Sequence, residues 1–331
     1  MPEEDFEKTL FCEPGTSPVT ISGPDSFAAV CPGCVVGNYR VLKPLSEGGM
    51  GKIFLCHPLD DFNVRYVLKV LKSEMYSNTT GKKRFRREFE LLSELAHENI
   101  VQTCESWFDE GSEYIIMEYV SGMNLAQMVQ SKYVFTSEYC IYMMAVLAHA
   151  FHYAWDSLKL LHRDIKPSNI MIDDDNVIKI LDFGIAKSLI NEDVALTMAG
   201  TSLGSPGFMS PEQYLDPRNV DCTSDIFSLG ATIYYCLSGG HLPFEGKNIA
   251  DIILAMHKGV VRPLREYNPD VPPNFEELIM ATLNSDPAKR PYCWDNLIAS
   301  IDSVYQGGKM ITKSSGHASS ESVLRRLLKL R

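Results

Sequence analysis

His162-Arg163-Asp164-Ile165-Lys166-Pro167-Ser168-Asn169, followed downstream by Asp182-Phe183-Gly184, is the stretch from which this chain is best read. Asp164 is a residue type suited to act as a base. Asn169, five residues on, and Asp182 offer hard oxygen donors of the kind Mg²⁺ prefers, an ion that keeps part of its shell for phosphates. An octapeptide of this composition plus a downstream Asp-Phe-Gly is a highly specific pairing. Asp164 is therefore the candidate base, and Asn169 and Asp182 are the candidate metal ligands.

Working outward towards the N-terminus, Ser46-Glu47-Gly48-Gly49-Met50-Gly51-Lys52-Ile53 lies between two strand-like runs. Glycines at 48, 49 and 51 let backbone N–H groups approach phosphate oxygens unobstructed. Alone, a Gly-rich hairpin is more often just a turn. It is not a Walker A loop, since no Lys-Ser/Thr follows the glycines. Lys69 sits inside the apolar run Tyr66–Leu71 and must bury its stem and find an anion. Glu88 stands nineteen residues later, on a helix whose apolar face carries Phe85, Phe89, Leu92 and Leu95.

Residues 1–37 are rich in Pro, Gly, Ser and Thr and read as a flexible leader. From Tyr39 short strands follow one another as in an antiparallel meander, with two more expected at Ile100–Phe108 and Tyr114–Tyr119. After Gly122 the pattern is mostly helical, interrupted by strand-like Ile170–Ile172 and Ile178–Ile180. This predicts an α+β chain of two lobes, about 38–119 and 123–303, with the ligand expected between them. The polar tail, 304–331, ends in a short basic amphipathic stretch. It reads as a frayed helix or a stub, with docking on lipid or a partner as the alternative.

The 331 residues carry 31 Lys and Arg against 42 Asp and Glu, a net charge of −11, which argues against a nucleic-acid surface. The apolar stretch Tyr139–Trp155 contains His149 and His152 and falls short of the ~20 residues a membrane span needs, so a buried helix is expected. The start, acidic and without an apolar run, does not resemble a signal peptide, and the scattered cysteines suit a reducing, cytoplasmic compartment. Cys31-Pro32-Gly33-Cys34 reads as a small capping loop. Structural zinc needs four ligands, and Cys12 is the nearest further thiol.

With these motifs in this order, the chain resembles the eukaryotic-type protein kinases, most of all their bacterial Ser/Thr members, over residues 38–303. The resemblance implies a two-lobed kinase fold and transfer of the γ-phosphoryl of ATP to Ser or Thr of proteins, with Mg²⁺ or in its place Mn²⁺. By motif position, Lys69 holds the α/β-phosphates and pairs with Glu88. Asp164 orients the acceptor hydroxyl, Lys166 steadies the γ-phosphate, and Asn169 and Asp182 hold the metal. Ser46, Gly48, Gly49 and Gly51 cover the phosphates. Ile53, Val67 and Met171 sandwich the base, while Met117, Glu118 and Val120 line its edge. Glu212 of Ser210-Pro211-Glu212 is expected to pair with Arg290, and Asp225 to brace the catalytic loop.

Two departures are Ser46 in place of the first loop glycine and Val67 in place of a smaller residue. The rivals are a kinase fold used as an ATP sensor or scaffold, and a small-molecule phosphotransferase. Lys166 follows the Ser/Thr pattern. Asn124 and Ser168 stand where basophilic relatives carry carboxylates, so no strong need for Arg upstream of the target is expected. Arg163 suits a switch by phosphorylation of Thr197, Thr201 or Ser202, for which a transient homodimer is one route. The basic run 82–87 is either a solvated face or a second anchor for that phosphate.

Overall fold

A computed structural model describes residues 30–48, 51–71, 89–109, 112–183 and 206–307. They fall into two compact units, one of residues 30–71 and 103–119, the other of 89–102 and 120–307.

The first unit is an antiparallel sheet of β1 (Val35–Val36), β2 (Tyr39–Gly48), β3 (Gly51–Pro58), β4 (Tyr66–Leu71), β5 (Thr103–Asp109) and β6 (Ser112–Glu118), in the order β1-β2-β3-β4-β6-β5. Side chains alternate between its faces. Phe54, Cys56, Leu68, Val70, Tyr114 and Ile116 point to one face and form a core with Val30, Val36, Tyr39 and Val41. Trp107 stacks on Tyr114 at 5.3 Å and lies over Gly37, where an added Cβ would meet the indole at 3.0 Å. Gly51 is required for close approach: a Cβ there would sit 2.2 Å from the Val70 carbonyl oxygen.

The second unit is mostly helical. Its small sheet of β7 (Gly122–Asn124), β8 (Ile170–Asp173) and β9 (Ile178–Ile180) accompanies α1 (Leu125–Gln130), α2 (Ser137–Leu158), α3 (Pro211–Leu215), α4 (Cys222–Leu237), α5 (Ile249–Lys258), α6 (Pro273–Thr282) and α7 (Trp294–Tyr305). The stretch free of formal charge becomes α2, capped by the Thr136 side chain and ended by Lys159 in the left-handed region. Its buried Met143, Met144, Leu147 and Phe151 share one core with Phe227, Phe275 and Trp294. At ~1.5–3 kcal/mol per large buried side chain, this core dominates the unit's stability. No described helix is long and apolar enough to cross a membrane.

One expectation needs correcting. The run from Ile100 does not begin a strand of the first sheet, which starts at Thr103. Ile100 makes an isolated parallel bridge to Ile180, and Asn99 Nδ2 donates to the Ile178 carbonyl at 2.8 Å. With Leu92 and Leu95 buried in the helical core, residues 89–102 belong to the second unit.

Candidate active site

The loop after α2 is shaped by a buried carboxylate. Asp225, in the first turn of α4, accepts from the backbone N–H of His162 at 2.7 Å and of Arg163 at 2.9 Å, one on each oxygen. Burial pushes its pKa up, and the His162 neighbour and the two N–H donors offset only part of that. Arg163 is held at φ +60°, a region few non-glycine residues occupy. The expectation that Asp225 braces this loop holds.

His162 ties two segments together. Its Nδ1 accepts from the Asp164 N–H at 3.2 Å, which puts the proton on Nε2, donated to the Leu181 carbonyl at 2.9 Å. Burial pushes its pKa down, so the neutral ring this arrangement needs is the favoured form. Phe183 packs on the same ring with centroids 4.8 Å apart and stands edge-on to Phe151 at 6.3 Å. These contacts anchor Asp182, itself at φ +40°.

Asp164, Lys166 and Asn169 converge. Lys166 Nζ lies 2.9 Å from Asp164 Oδ2, and Asn169 Nδ2 donates to that oxygen at 3.1 Å and to the Asp164 carbonyl at 2.9 Å. The Leu181 N–H donates to the Asn169 carbonyl at 2.8 Å, which brings Asn169 beside the strand end that leads into Asp182. These residues fit a divalent cation. With its Nδ2 committed to Asp164, Asn169 offers Oδ1 as a neutral hard donor, and Asp182 supplies a carboxylate. No group of three or more His, Cys, Asp or Glu residues is placed for a metal among the described residues, so phosphate and water oxygens would complete the shell.

In the first unit, strand register places Ile53 opposite Lys69 and Val67 opposite Met117. Ile53, Val67, Lys69 and Met117 therefore share the sheet face turned away from its aromatic core. Ser46 lies opposite Ile53 on β2, after an irregularity in the pairing, and Gly48 opposite Gly51 closes the hairpin. Glu118 ends β6. In the second unit Val120 is buried and Met171 sits on β8 opposite Asn124 and Lys179. Gly49, Glu88, the run 82–87, Thr197, Thr201, Ser202 and the tail from 308 lie outside the described residues.

Supporting contacts complete the site. Glu212 pairs bidentately with Arg290 at 2.6 and 2.9 Å, as expected. Burial raises the Glu212 pKa, yet the Arg290 hydrogen bonds and charge, helped by Ser224, bring it below its ordinary value. Gln213 was not anticipated: its Nε2 donates to the Arg163 carbonyl at 3.0 Å while its Oε1 accepts from the Ser210 N–H at 3.0 Å. Ser210-x-x-Gln213 is a readable capping box, but spacing gives no hint of the second bond. Asn124 caps α1 in a similar box with Gln127, and Ser168 is exposed. Cys31 and Cys34 face each other across a turn, Sγ to Sγ 2.7 Å, with Gly33 at φ +89°.

A catalytic loop braced in this way, joined to an Asp-Phe-Gly segment and accompanied by a six-stranded sheet, defines a protein kinase domain. Residues 39–299 match the protein kinase domain family, and the chain belongs to it. Among its relatives are Serine/threonine-protein kinase PrkC of Bacillus subtilis, 30% identical across 84% of this chain and 42% of that one, and Tyrosine-protein kinase MasK of Myxococcus xanthus, 33% identical across 77% and 41%. The chain spans about two-fifths of the length of the curated relatives it matches. The crystal structure of the Mycobacterium tuberculosis PknI kinase domain shares the fold, with a TM-score of 0.64 at 24% identity, covering 83% of this chain and 99% of that one.

Proposed function

We propose that this chain transfers the γ-phosphoryl group of ATP to Ser or Thr hydroxyls of protein substrates, with Mg²⁺, or Mn²⁺ in its place, as the metal. The observation that carries this reading is the hold on Asp164: one carboxylate oxygen is shared by Lys166 and Asn169. That hold fixes the carboxylate's direction, so Asp164 orients the acceptor hydroxyl and takes its proton. Lys166 keeps a positive charge where the transferred group is most negative, and Lys69 places another on the phosphates nearer the nucleoside, supported by Glu88. Asn169 and Asp182 would hold the metal, which supplies charge neutralisation on phosphate oxygens. Ser46, Gly48, Gly49 and Gly51 cover the phosphates. Ile53, Val67 and Met171 pack on the base, with Met117, Glu118 and Val120 at its edge. The shared sheet face of Ile53, Val67 and Lys69 supports this assignment.

Incubating wild type and Asp164→Asn with labelled ATP and Mg²⁺, alone and with a generic protein substrate, tests the reading. Label incorporated by wild type only is the expected result, and equal labelling refutes it. Phosphoamino-acid analysis decides the acceptor. Lys166 favours Ser/Thr, and the name of the Myxococcus relative MasK makes tyrosine the alternative. The reading extends to autophosphorylation at Thr197, Thr201 or Ser202, in a transient homodimer, with Arg163 receiving the phosphate. Mass spectrometry after ATP incubation that finds all three unmodified rejects it. A reducing, cytoplasmic setting goes with this reading, supported by thiols at the buried helix positions Cys140, Cys222 and Cys236.

A further inference from the structure

We infer that Gln213 is a positioning residue for catalysis, fixing the peptide that carries Asp164; the inference rests on the phosphoryl-transfer reading above. A peptide unit is planar, so its C=O and the following N–H move as one body. In the unit joining Arg163 to Asp164, the C=O accepts from Gln213 Nε2 at 3.0 Å and the N–H donates to His162 Nδ1 at 3.2 Å. Each edge of the plane is thus held by one side chain. The preceding unit is held separately, by Asp225 on the Arg163 N–H. Because Arg163 sits at φ +60°, the loop has no regular hydrogen-bond ladder to keep this plane in place.

The Gln213 amide has one workable orientation. Its Oε1 accepts from both the N–H and the Oγ of Ser210, at 3.0 and 3.3 Å, while its Nε2 faces the Arg163 carbonyl. A flipped amide would set donor against donor at the Ser210 N–H and acceptor against acceptor at Arg163. The base on which it stands is firm: the adjacent Glu212 is bound bidentately to Arg290, whose side chain is wholly buried. Gln213 therefore passes the position of the Ser210–Glu212 segment to the catalytic loop. Displacing a reacting group by about 1 Å costs on the order of a hundredfold in rate, so a small swing of this plane is enough to matter.

Gln213→Glu keeps the oxygen that caps α3 and removes the donor to Arg163, and Gln213→Met removes both without charge. Both variants, beside wild type and Asp164→Asn, are assayed for kcat, KM for ATP and peptide, thermal midpoint, and hydrogen–deuterium exchange over 160–166. The expected result is a kcat lowered about 10- to 100-fold with both KM values within about twofold, a midpoint within a few degrees, and faster exchange confined to that peptide. Unchanged kcat and exchange in both variants overturn the inference while leaving kinase activity standing. A loss of kcat only in step with global unfolding in both variants also overturns it, since Gln213 would then be structural alone. Wild type no more active than Asp164→Asn overturns the phosphoryl-transfer reading itself. In that case faster exchange over 160–166 still supports the hold on the loop, and unchanged exchange rejects it.

Discussion

Arg290 shows how much one buried side chain can carry. Besides the two bonds to Glu212, its Nε donates to the Asn284 carbonyl, its Nη1 to Thr223 and its Nη2 to Ser285, and the guanidinium lies 4.9 Å from the Phe227 ring centroid. Removing it strands a half-buried carboxylate and three carbonyls. Arg290→Met should therefore lower unfolding free energy by about 3–5 kcal/mol in urea, the cost typical of breaking a buried pair from one side. Arg290→Lys should recover little, because an ammonium has no planar fork to match. Glu212 has its folded pKa below the unfolded value, so its contribution is present above about pH 4.5 and lost as pH falls through the folded pKa. His149 acts in the same direction, by burial of a neutral ring in place of a paired anion. Burial first, then the neighbouring His152 and His97 push its pKa down to about 4 against an unfolded value near 6.5, with Asp295 opposing. The unfolded chain thus binds more protons, and stability falls as pH drops from 7 to 5, by about 1–2 kcal/mol from this residue. Asp302, raised by burial to about 6, runs the other way below pH 6, so the measurement is wild type against His149→Gln. An identical slope of urea midpoint with pH in both would reject the assignment.

At the scale of elements, what could be read from the chain depended on whether an element's environment was local. The runs that become β3 and β4 are short, apolar and bounded by turn residues, so the strands themselves were legible, whereas the common face of Ile53, Val67 and Lys69 follows from the strand register. Ile100 and Val101 are apolar and β-branched, yet their partner is Ile180, far along the chain, and no local pattern carries that. The meeting of Asp164 with Asn169 was legible because motif spacing encodes it. Gln213 was not, since its decisive bond spans fifty residues. Helix packing has the same character. Gly230 in α4 reads as a weak point in a helix, but a Cβ there would meet Thr282 Oγ1 of α6 at 1.8 Å. It marks a helix contact too close for any side chain. Thr282 Oγ1 is itself committed to the Ile279 carbonyl at 2.6 Å, so it cannot turn aside without losing that bond. Gly230→Ala should cost about 1–3 kcal/mol by overpacking, despite alanine's better helix propensity. An equal or higher thermal midpoint in the variant would show that α4 and α6 separate at little cost.

For the whole molecule, the net charge of −11 sets a condition on nucleotide binding. Free ATP approaches an acidic chain as a polyanion, and the mean field opposes it. The proposed site answers with local cations, Lys69 and Lys166, and with oxygen donors for a metal at Asn169 and Asp182. Two functions should then come apart under mutation. Binding stabilises the folded state by RT ln(1 + [L]/Kd), about 2.7 kcal/mol at a hundredfold excess over Kd, which for a chain of this size is a thermal shift of a few degrees. Wild type should show that shift with ATP and Mg²⁺ and lose most of it in EDTA. Asp182→Asn should give the small shift whether or not Mg²⁺ is present, because the carboxylate proposed for the metal is gone. Lys69→Met should reduce the shift under both conditions, since in the proposed site its charge acts on the phosphates directly. Asp164→Asn should keep the full Mg²⁺-dependent shift and lose transfer, because the proposed role of Asp164 is on the acceptor hydroxyl. A full Mg²⁺-dependent shift in Asp182→Asn would remove Asp182 from the metal site. Loss of the shift in Asp164→Asn would mean that its carboxylate serves nucleotide binding instead of proton removal.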